Sequence, residues 1–267
     1  MKHVHPEVYL VARPAIDWTV LQRFISHIDA EEWLDRIDQQ LFSGVKLGQG
    51  EILVEVGGRE CYRSWAPGLN PNVNKVRESS PKYLANIVAS GHGSVLEHAN
   101  YSFIFHNVSR VFTHELVRHR AGAAYSQESM RYVRLDDLPF WFPDWAKTDE
   151  ELMRRCIDLL HLMEEHQRWM AEHFGLDDDG VPFEEKKHKT SFMRRFAPDG
   201  VATGLLCTMN IRTLRHVIAM RTSLGAEEEI RIVMDEVAKI CLNEFPNVMA
   251  DYKRSENAEW VPSFMKV

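Results

Sequence analysis

The chain has 267 residues, 45% hydrophobic and 27% charged, with a formal net charge of −7. That length can bury a full core, and the acidic balance argues against general nucleic-acid binding, which leaves a basic footprint. No apolar run approaches the ~18 residues of a membrane span, Met1–Pro6 lacks the apolar stretch of a secretion signal, and Cys61, Cys156, Cys207 and Cys241 stand far apart, as isolated buried thiols of a reducing cytoplasm would.

The first predicted element is a short strand at Val8–Val11. Asp17 can cap a helix through about Ile28, and Ala30–Phe42 reads as a second, with Trp33, Leu34, Ile37 and Leu41 at helical spacing. Glu51–Trp65 reads as helix despite Gly57 and Gly58, and Ala66–Asn74, rich in proline, glycine and asparagine, as loop. Ser80 and Pro81 are the cap and first-turn proline of a helix to about Ser90. Alternation of Tyr101, Phe103 and Phe105 with more polar positions predicts a strand, and Ser109 caps a helix ending near Arg120. Tyr132–Leu135 reads as strand and Asp136–Trp145 as loop. Thr148, with a capping-box glutamate at Glu151, starts a long helix to about Phe174, which Gly175–Gly180 breaks. Phe183–Phe196 reads as a basic helix and Val201–Met209 as a buried strand. Asn210 caps a helix to about Arg221, and Ala226–Phe245 forms the last. Helices dominate, strands are scattered, and no βαβ rhythm appears, so the fold class is α+β.

The strongest chemical signal is Arg118–His119–Arg120, followed after a short loop by Ser126, Gln127, Ser129 and Arg131. Clustered guanidiniums repel one another unless an anion sits among them, and their planar donors suit phosphate. The two readings are a pocket for a phosphorylated ligand and a solvated basic loop. His119 continues the Phe112/Leu116 face, where a satisfied core histidine is the simpler reading; the flanking arginines would keep it neutral near pH 7. His114 and His119 do not make a zinc-protease motif. That motif spaces its histidines four apart, roughly 40° around a helix, whereas five residues turn through roughly 140°. No metal site is expected. Gly91–His92–Gly93 lacks the third glycine of a dinucleotide fingerprint, and no phosphate-binding GxxxxGK[ST] exists. On the Asn210 helix, Leu214, Val217 and Ile218 form an apolar stripe, and Arg221 falls next on it. Arg221 either snorkels and caps the helix end or reaches a ligand. Arg212 and His216, one turn apart on another face, could touch one partner.

Taken together, these segments resemble the flavin-dependent thymidylate synthases, the ThyX family. The matching pieces are Arg59–Trp65, Gly91–His98, Thr113–Arg120, Ser129–Tyr132, Arg194 with Pro198, and Asn210–Arg212 through Met220–Arg221. Their order and approximate spacing hold from about Arg59 to about Ala250. One departure is plain: Ala121–Glu128 is a residue longer than the family's spacing, and Ala124 stands where the family usually has serine.

The resemblance implies a ThyX-like fold, a central antiparallel sheet flanked by helices, as a single catalytic domain over residues 1–267, with 1–50 structural or at a subunit contact. It implies a cytoplasmic homotetramer with sites at subunit interfaces. The implied reaction is reductive methylation of dUMP to dTMP with methylenetetrahydrofolate, FAD and NADPH. Carried over residue by residue, Ser64, Ser94, Glu97, Arg118, His119, Arg120, Asn210, Arg212 and His216 would bind the flavin. Glu115, Arg118, Gln127, Ser129 and Arg131 would bind the nucleotide, Ser129 and Arg131 at its phosphate. Arg194 and Arg221 would contact the uracil, and His92 would lie near the folate and flavin face. A guanidinium at the pyrimidine oxygens stabilises the charge that develops as the ring attacks the methylene, which gives Arg221 a reason to end an apolar stripe. No cysteine nucleophile is needed: none of the four follows a proline, as the nucleophile of cysteine-dependent thymidylate synthases does. Ser129 has no evident base, so it reads as a phosphate ligand. Competing readings are a relative methylating another uridine nucleotide such as UMP, and a non-catalytic flavin or nucleotide binder.

Overall fold

A computed structural model describes residues 1–73, 75–135 and 137–266. Asn74 and Asp136, which end one predicted loop and begin another, lie outside the described residues. In chain order the elements are β1 (Lys2–His3), β2 (Glu7–Ala12), α1 (Trp18–His27), α2 (Glu31–Phe42), α3 (Gln49–Tyr62), α4 (Ser80–Ala89), β3 (Asn100–Ser109) and α5 (Arg110–Leu116). Then come β4 (Ala123–Gln127), β5 (Pro139–Phe140), α6 (Asp144–Lys147), α7 (Glu150–His173) and α8 (Phe183–Met193). The chain ends with β6 (Ala202–Asn210), α9 (Ile211–Arg221), α10 (Glu228–Glu244), β7 (Tyr252–Arg254) and β8 (Trp260–Pro262). Short 3-10 segments occupy Gly93–His98 and Arg194–Phe196.

The fold is α+β, with a four-stranded sheet in the order β2–β3–β6–β4. Its central pairings are antiparallel. Arg110 N donates to Val201 O (3.2 Å) at one end of the β3–β6 pair, and Ile211 N to Ala99 O (3.0 Å) at the other. Between β4 and β6, Asn210 N reaches Gly122 O (3.1 Å) and Glu128 N reaches Gly204 O (2.9 Å).

The chain divides into two compact units. The first comprises Met1–Tyr9, Ile104–Arg118 and Tyr125–Cys207. Its core gathers Leu135, Leu138, Phe142, Leu160 and Val201, with a second cluster of Met170, Ala171, Leu176 and Met193. The second comprises Leu10–Phe103, His119–Ala124 and Thr208–Val267. There Ile25, Trp33, Ile37, Ile52 and Trp65 pack together, and the Trp33 and Trp65 rings meet edge to face at 5.1 Å. Beside them lies a fully buried ion pair, Arg59–Glu55, at 2.7 Å. Trp33 Nε1 also donates to Glu55 Oε1 (2.9 Å), and Arg59 donates to the carbonyls of Ser64 and Arg77 (2.8 Å each). Removing one member would strand a buried charge, at about 3–5 kcal/mol.

α9 is tied down at both ends. The Asn210 side chain accepts from Thr213 N (2.8 Å). At the far end, the Thr222 hydroxyl donates to Ile218 O (2.8 Å) and accepts from Trp260 N (2.9 Å).

Several expectations need correction. Tyr132–Leu135 is not a strand: Ser129 O accepts from Tyr132 N and Val133 N, closing a turn, and the strand of this region is β4, inside the stretch expected as loop. α5 stops at Leu116, because the Tyr125 hydroxyl takes the Leu116 carbonyl (3.1 Å), so Arg118–Arg120 follow the helix and His119 does not continue its face. Asp149, not Thr148, caps α7, accepting from Leu152 N (3.0 Å), and Ser79, not Ser80, caps α4. α3 ends at Tyr62, where Arg63 turns left-handed (φ 47°). The loop expected from residue 136 contains β5 and α6. Cys207 and Cys241 are buried, Cys156 is half-buried, and Cys61 is exposed.

Candidate functional site

In the second unit, α9 carries four of the candidate residues. Asn210, its cap, is buried. Gly122 approaches that cap so closely that a Cβ on it would fall 2.2 Å from Asn210 Nδ2 and 2.5 Å from Thr213 Oγ1. Gly122 also has φ +68°, which glycine adopts without strain. Thr213 Oγ1 donates to Ala121 O (2.6 Å), so the segment carrying His119 and Arg120 is fastened to the start of α9.

In the first turn of α9, Arg212 Nη1 donates to Glu97 Oε1 (2.6 Å). Both are about half exposed, so the pair contributes little to stability and serves to orient. Arg212 also presses on Gly93, where a Cβ would lie 2.8 Å from its Nε. Glu97 and the exposed Ser94 share the Gly93–His98 turn.

At the end of α9, Arg221 Nε donates to His119 Nε2 (2.9 Å). His119 therefore accepts at Nε2, and its proton belongs on Nδ1. The His216 ring lies edge-on to His119 at 5.6 Å. Burial, the Arg221 charge and His216 push the His119 pKa down to about 4. The imidazole is neutral throughout the physiological range, but through burial and Arg221 rather than through the flanking Arg118 and Arg120 expected from the sequence. Arg212 and His216 have separate partners in this chain, Glu97 and His119, rather than the shared one their spacing allows.

His92 precedes the Gly93–His98 turn, its ring edge-on to Tyr62 at 5.4 Å. His92 and Ser64 line one cavity of about 370 Å³. The His92 Nδ1 is buried without a hydrogen-bond partner.

In the first unit, the candidates sit on turns. Gln127 ends β4, and its Nε2 donates to Thr113 Oγ1 (3.3 Å) on α5, which also carries Glu115. Ser129 Oγ accepts from Arg131 N (3.4 Å), and the Arg131 carbonyl is held by the Thr190 hydroxyl (2.7 Å). Arg194 follows α8 directly and is exposed, as is Arg118 after α5. Glu128 accepts from Gly204 N (3.1 Å), tying β4 to β6 just before Ser129.

Taken unit by unit, the donors are of the chemistry that suits the phosphates of a dinucleotide or nucleotide. Arg118, Arg120 and Arg212 are exposed guanidiniums, His119 is a neutral imidazole, and His92 offers a buried ring nitrogen with nothing to bond. Among the described residues no three His, Cys, Asp or Glu side chains are grouped to hold a metal ion, and no helix is long and apolar enough to cross a membrane. Sequence reasoning missed the hydroxyls that hold these segments, Thr213 and Thr190. Thr213 had a visible signal, three residues after a capping asparagine; Thr190 had none, since its partner is 59 residues away.

Residues 46–247 match the family described as thymidylate synthase complementing protein. A flavin-dependent thymidylate synthase of Mycolicibacterium gilvum (strain PYR-GCK) is 34% identical over 215 residues, covering 76% of this chain and 80% of that protein. Another, from Mycobacterium sp. (strain JLS), is 36% identical over 220 residues with the same coverage. Among solved structures, the UMP/dUMP methylase PolB from Streptomyces cacaoi bound with 5-Br UMP matches with a TM-score of 0.61, over 93% of this chain and 94% of that one. At 18% identity that likeness is one of fold.

Proposed function

The chain belongs to the family of flavin-dependent thymidylate synthases, and from that premise we propose that it methylates dUMP at C5 to give dTMP. The observation that carries the proposal is the Arg221–His119 contact. Uracil C5 is a poor nucleophile, and its attack on a methylene group needs negative charge stabilised at the ring oxygens. A neutral imidazole at Nε orients the guanidinium for that task without adding a countercharge. Arg194 is the second uracil contact.

Ser129 and Arg131 hold the nucleotide phosphate, with Gln127, Glu115 and Arg118 beside it. Ser64, Ser94, Glu97, Arg118, His119, Arg120, Asn210, Arg212 and His216 hold FAD, and His92 faces the folate. Bound FAD supplies the hydride after reduction by NADPH, and methylenetetrahydrofolate supplies the carbon. The chain acts as one catalytic domain in a cytoplasmic homotetramer whose sites lie at subunit interfaces.

A second reading is acceptance of UMP: a solved structure of similar fold is a UMP/dUMP methylase, and the longer Ala121–Glu128 stretch is the place where tolerance of the sugar would change. The test is methyl transfer by the purified protein with FAD, NADPH and methylenetetrahydrofolate, offering dUMP and UMP separately. Product from dUMP alone is the expected result. Product mainly from UMP would replace it with the second reading, and product from neither would overturn both.

A further inference from the structure

The start of α3 opens into another cavity of the second unit, about 260 Å³, which none of the candidate residues lines. Gly48, the N-cap, gives the helix no side-chain cap, and no side chain could stand there, since a Cβ would lie 2.1 Å from Glu244 O. Glu51 reaches back to Gly48 N (3.1 Å), but the Gln49 and Gly50 amides, the first two of the helix, have no acceptor among the described residues. Over them stands the Tyr101 phenol: a Cβ on Gly50 would fall 2.2 Å from its oxygen. Tyr101 is 2% exposed and lines the cavity, and its hydroxyl bonds to none of the described residues. Burial, with Glu244 and Glu51 near, raises its pKa, so the hydroxyl keeps its proton throughout the physiological range.

Two exposed cations complete the lining. Lys46 Nζ donates to Asn243 Oδ1 (2.6 Å), and Arg13 Nε pairs with Glu244 Oε2 (3.3 Å), which neutralises the carboxylate of the wall. Each keeps further N–H donors. Donors from an uncapped helix start, a buried phenol and two cations suit a compact oxyanion. The volume is below the ~300–1,000 Å³ of drug-sized ligand sites, which points to a phosphate group rather than a whole nucleotide.

We propose that this cavity binds a small phosphate ligand, inorganic phosphate or a phosphomonoester. The Gln49 and Gly50 amides and the Tyr101 hydroxyl donate to it, and Lys46 and Arg13 balance its charge. The site is separate from the proposed nucleotide and flavin residues and does not depend on the functional reading. It joins Arg13, which precedes the family-matched residues, to the place where α3 and α10 meet.

Thermal unfolding and calorimetric titration of the full chain test it, with potassium phosphate compared against potassium chloride at equal ionic strength. Phosphate at about ten times its Kd should raise Tm by about 2 °C or more beyond chloride. Tyr101→Phe removes only an unpartnered hydroxyl, so without phosphate its Tm should equal or exceed that of the natural chain. Its phosphate binding should be about tenfold weaker, as should that of Lys46→Ala, and Lys46→Arg should restore it. Phosphate held at the proposed nucleotide or flavin residues contributes equally to all four proteins, so the difference reports this cavity. Equal phosphate isotherms in the natural chain, Tyr101→Phe and Lys46→Ala would overturn the assignment, as would a chloride effect equal to that of phosphate. If Tyr101→Phe does not fold, Lys46→Ala, at an exposed position, decides alone. Titration with glycerol 3-phosphate separates the two sources. Binding tighter than that of inorganic phosphate, and weakened in the same variants, assigns the site to a phosphomonoester; weaker binding assigns it to free phosphate.

Discussion

The arginines proposed at the pyrimidine, Arg221 and Arg194, are held in opposite ways. Arg221 ends α9, whose Leu214, Arg215, Val217 and Ile218 are buried and whose cap is buried Asn210, and it leans on a neutral histidine. Arg194 follows α8 on a single 3-10 turn and is exposed. The same contrast separates their surroundings. In the second unit, Arg212 and the Ala121–Gly122 segment have side-chain partners before any ligand arrives. In the first, Ser129 and Arg131 are held through turn backbone and the Thr190 hydroxyl. Of the two, only Arg221 is oriented before a ligand arrives, so it is the one suited to act on developing charge, where reorganisation would cost rate; Arg194 would take its geometry from the bound ring. Groups that hold a phosphate can take their final geometry from the phosphate.

The sharpest way to break this contrast is Arg221→Ala. It should lower methyl transfer by about 10²–10³-fold or more, the effect of removing one preorganised charge-stabilising donor, while the purified protein keeps its yellow flavin spectrum. Turnover near the unaltered rate would remove Arg221 from the chemistry. Gly122→Ala comes next, and it probes stability. The new methyl group would overlap Asn210 and Thr213, and alanine would be forced to φ +68°. A loss of about 1–3 kcal/mol from backbone strain alone is expected in thermal or urea unfolding of the flavin-free protein. An unchanged Tm would show that the cap is not packed as described.

Ser129→Ala tests the other side. Removing one hydrogen bond to a charged phosphate should weaken nucleotide binding by about tenfold, with chemistry preserved at saturating nucleotide. Complete loss of product there would reopen a nucleophilic role for Ser129. The smallest effect concerns pH. The folded pKa of His119, about 4, lies below its ordinary 6.5, so between those values the unfolded chain binds a proton that the folded chain does not. Stability from this group is fully present above pH 6.5 and is lost as pH falls towards 4. The Tm of the natural protein should therefore fall relative to that of His119→Asn as pH is lowered from 7.5 to 5. Parallel curves would mean that His119 titrates normally.

What could be read from the sequence follows from how local each signal is. α9 and its asparagine cap were legible because the cap, the apolar stripe and the terminal arginine all lie within twelve residues. α10 and α7 were legible for the same reason, although the α7 cap moved by one residue to Asp149. The end of α5 was not, since the Tyr125 hydroxyl that takes the Leu116 carbonyl comes from nine residues further on, after the chain has turned. β4 was missed because Ala123–Gln127 has weak strand propensity and exists by pairing with β6. Tyr132–Leu135 has stronger propensity but closes a turn on Ser129. The candidate residues themselves were chosen by resemblance. Local pattern alone pointed to Arg221, the Arg212/His216 pair, the Arg118–Arg120 triplet and the Ser126–Arg131 stretch after it, and could not show that His119 and Arg221, 102 residues apart, would meet.

The double anchoring of α9 has a consequence for isotope exchange. The Thr222 amide donates to Ile218 O (3.0 Å) beneath the hydroxyl that also receives Trp260 N, and Leu214, Val217 and Ile218 are sealed from solvent. In deuterium the amides of the buried positions should exchange through the rarest openings of the second unit, whereas those of the Ser129–Val133 turn should exchange through local opening. Residues 214–222 are thus an internal clock for those rare openings, against which ligand-dependent slowing at 129–133 can be timed within one sample.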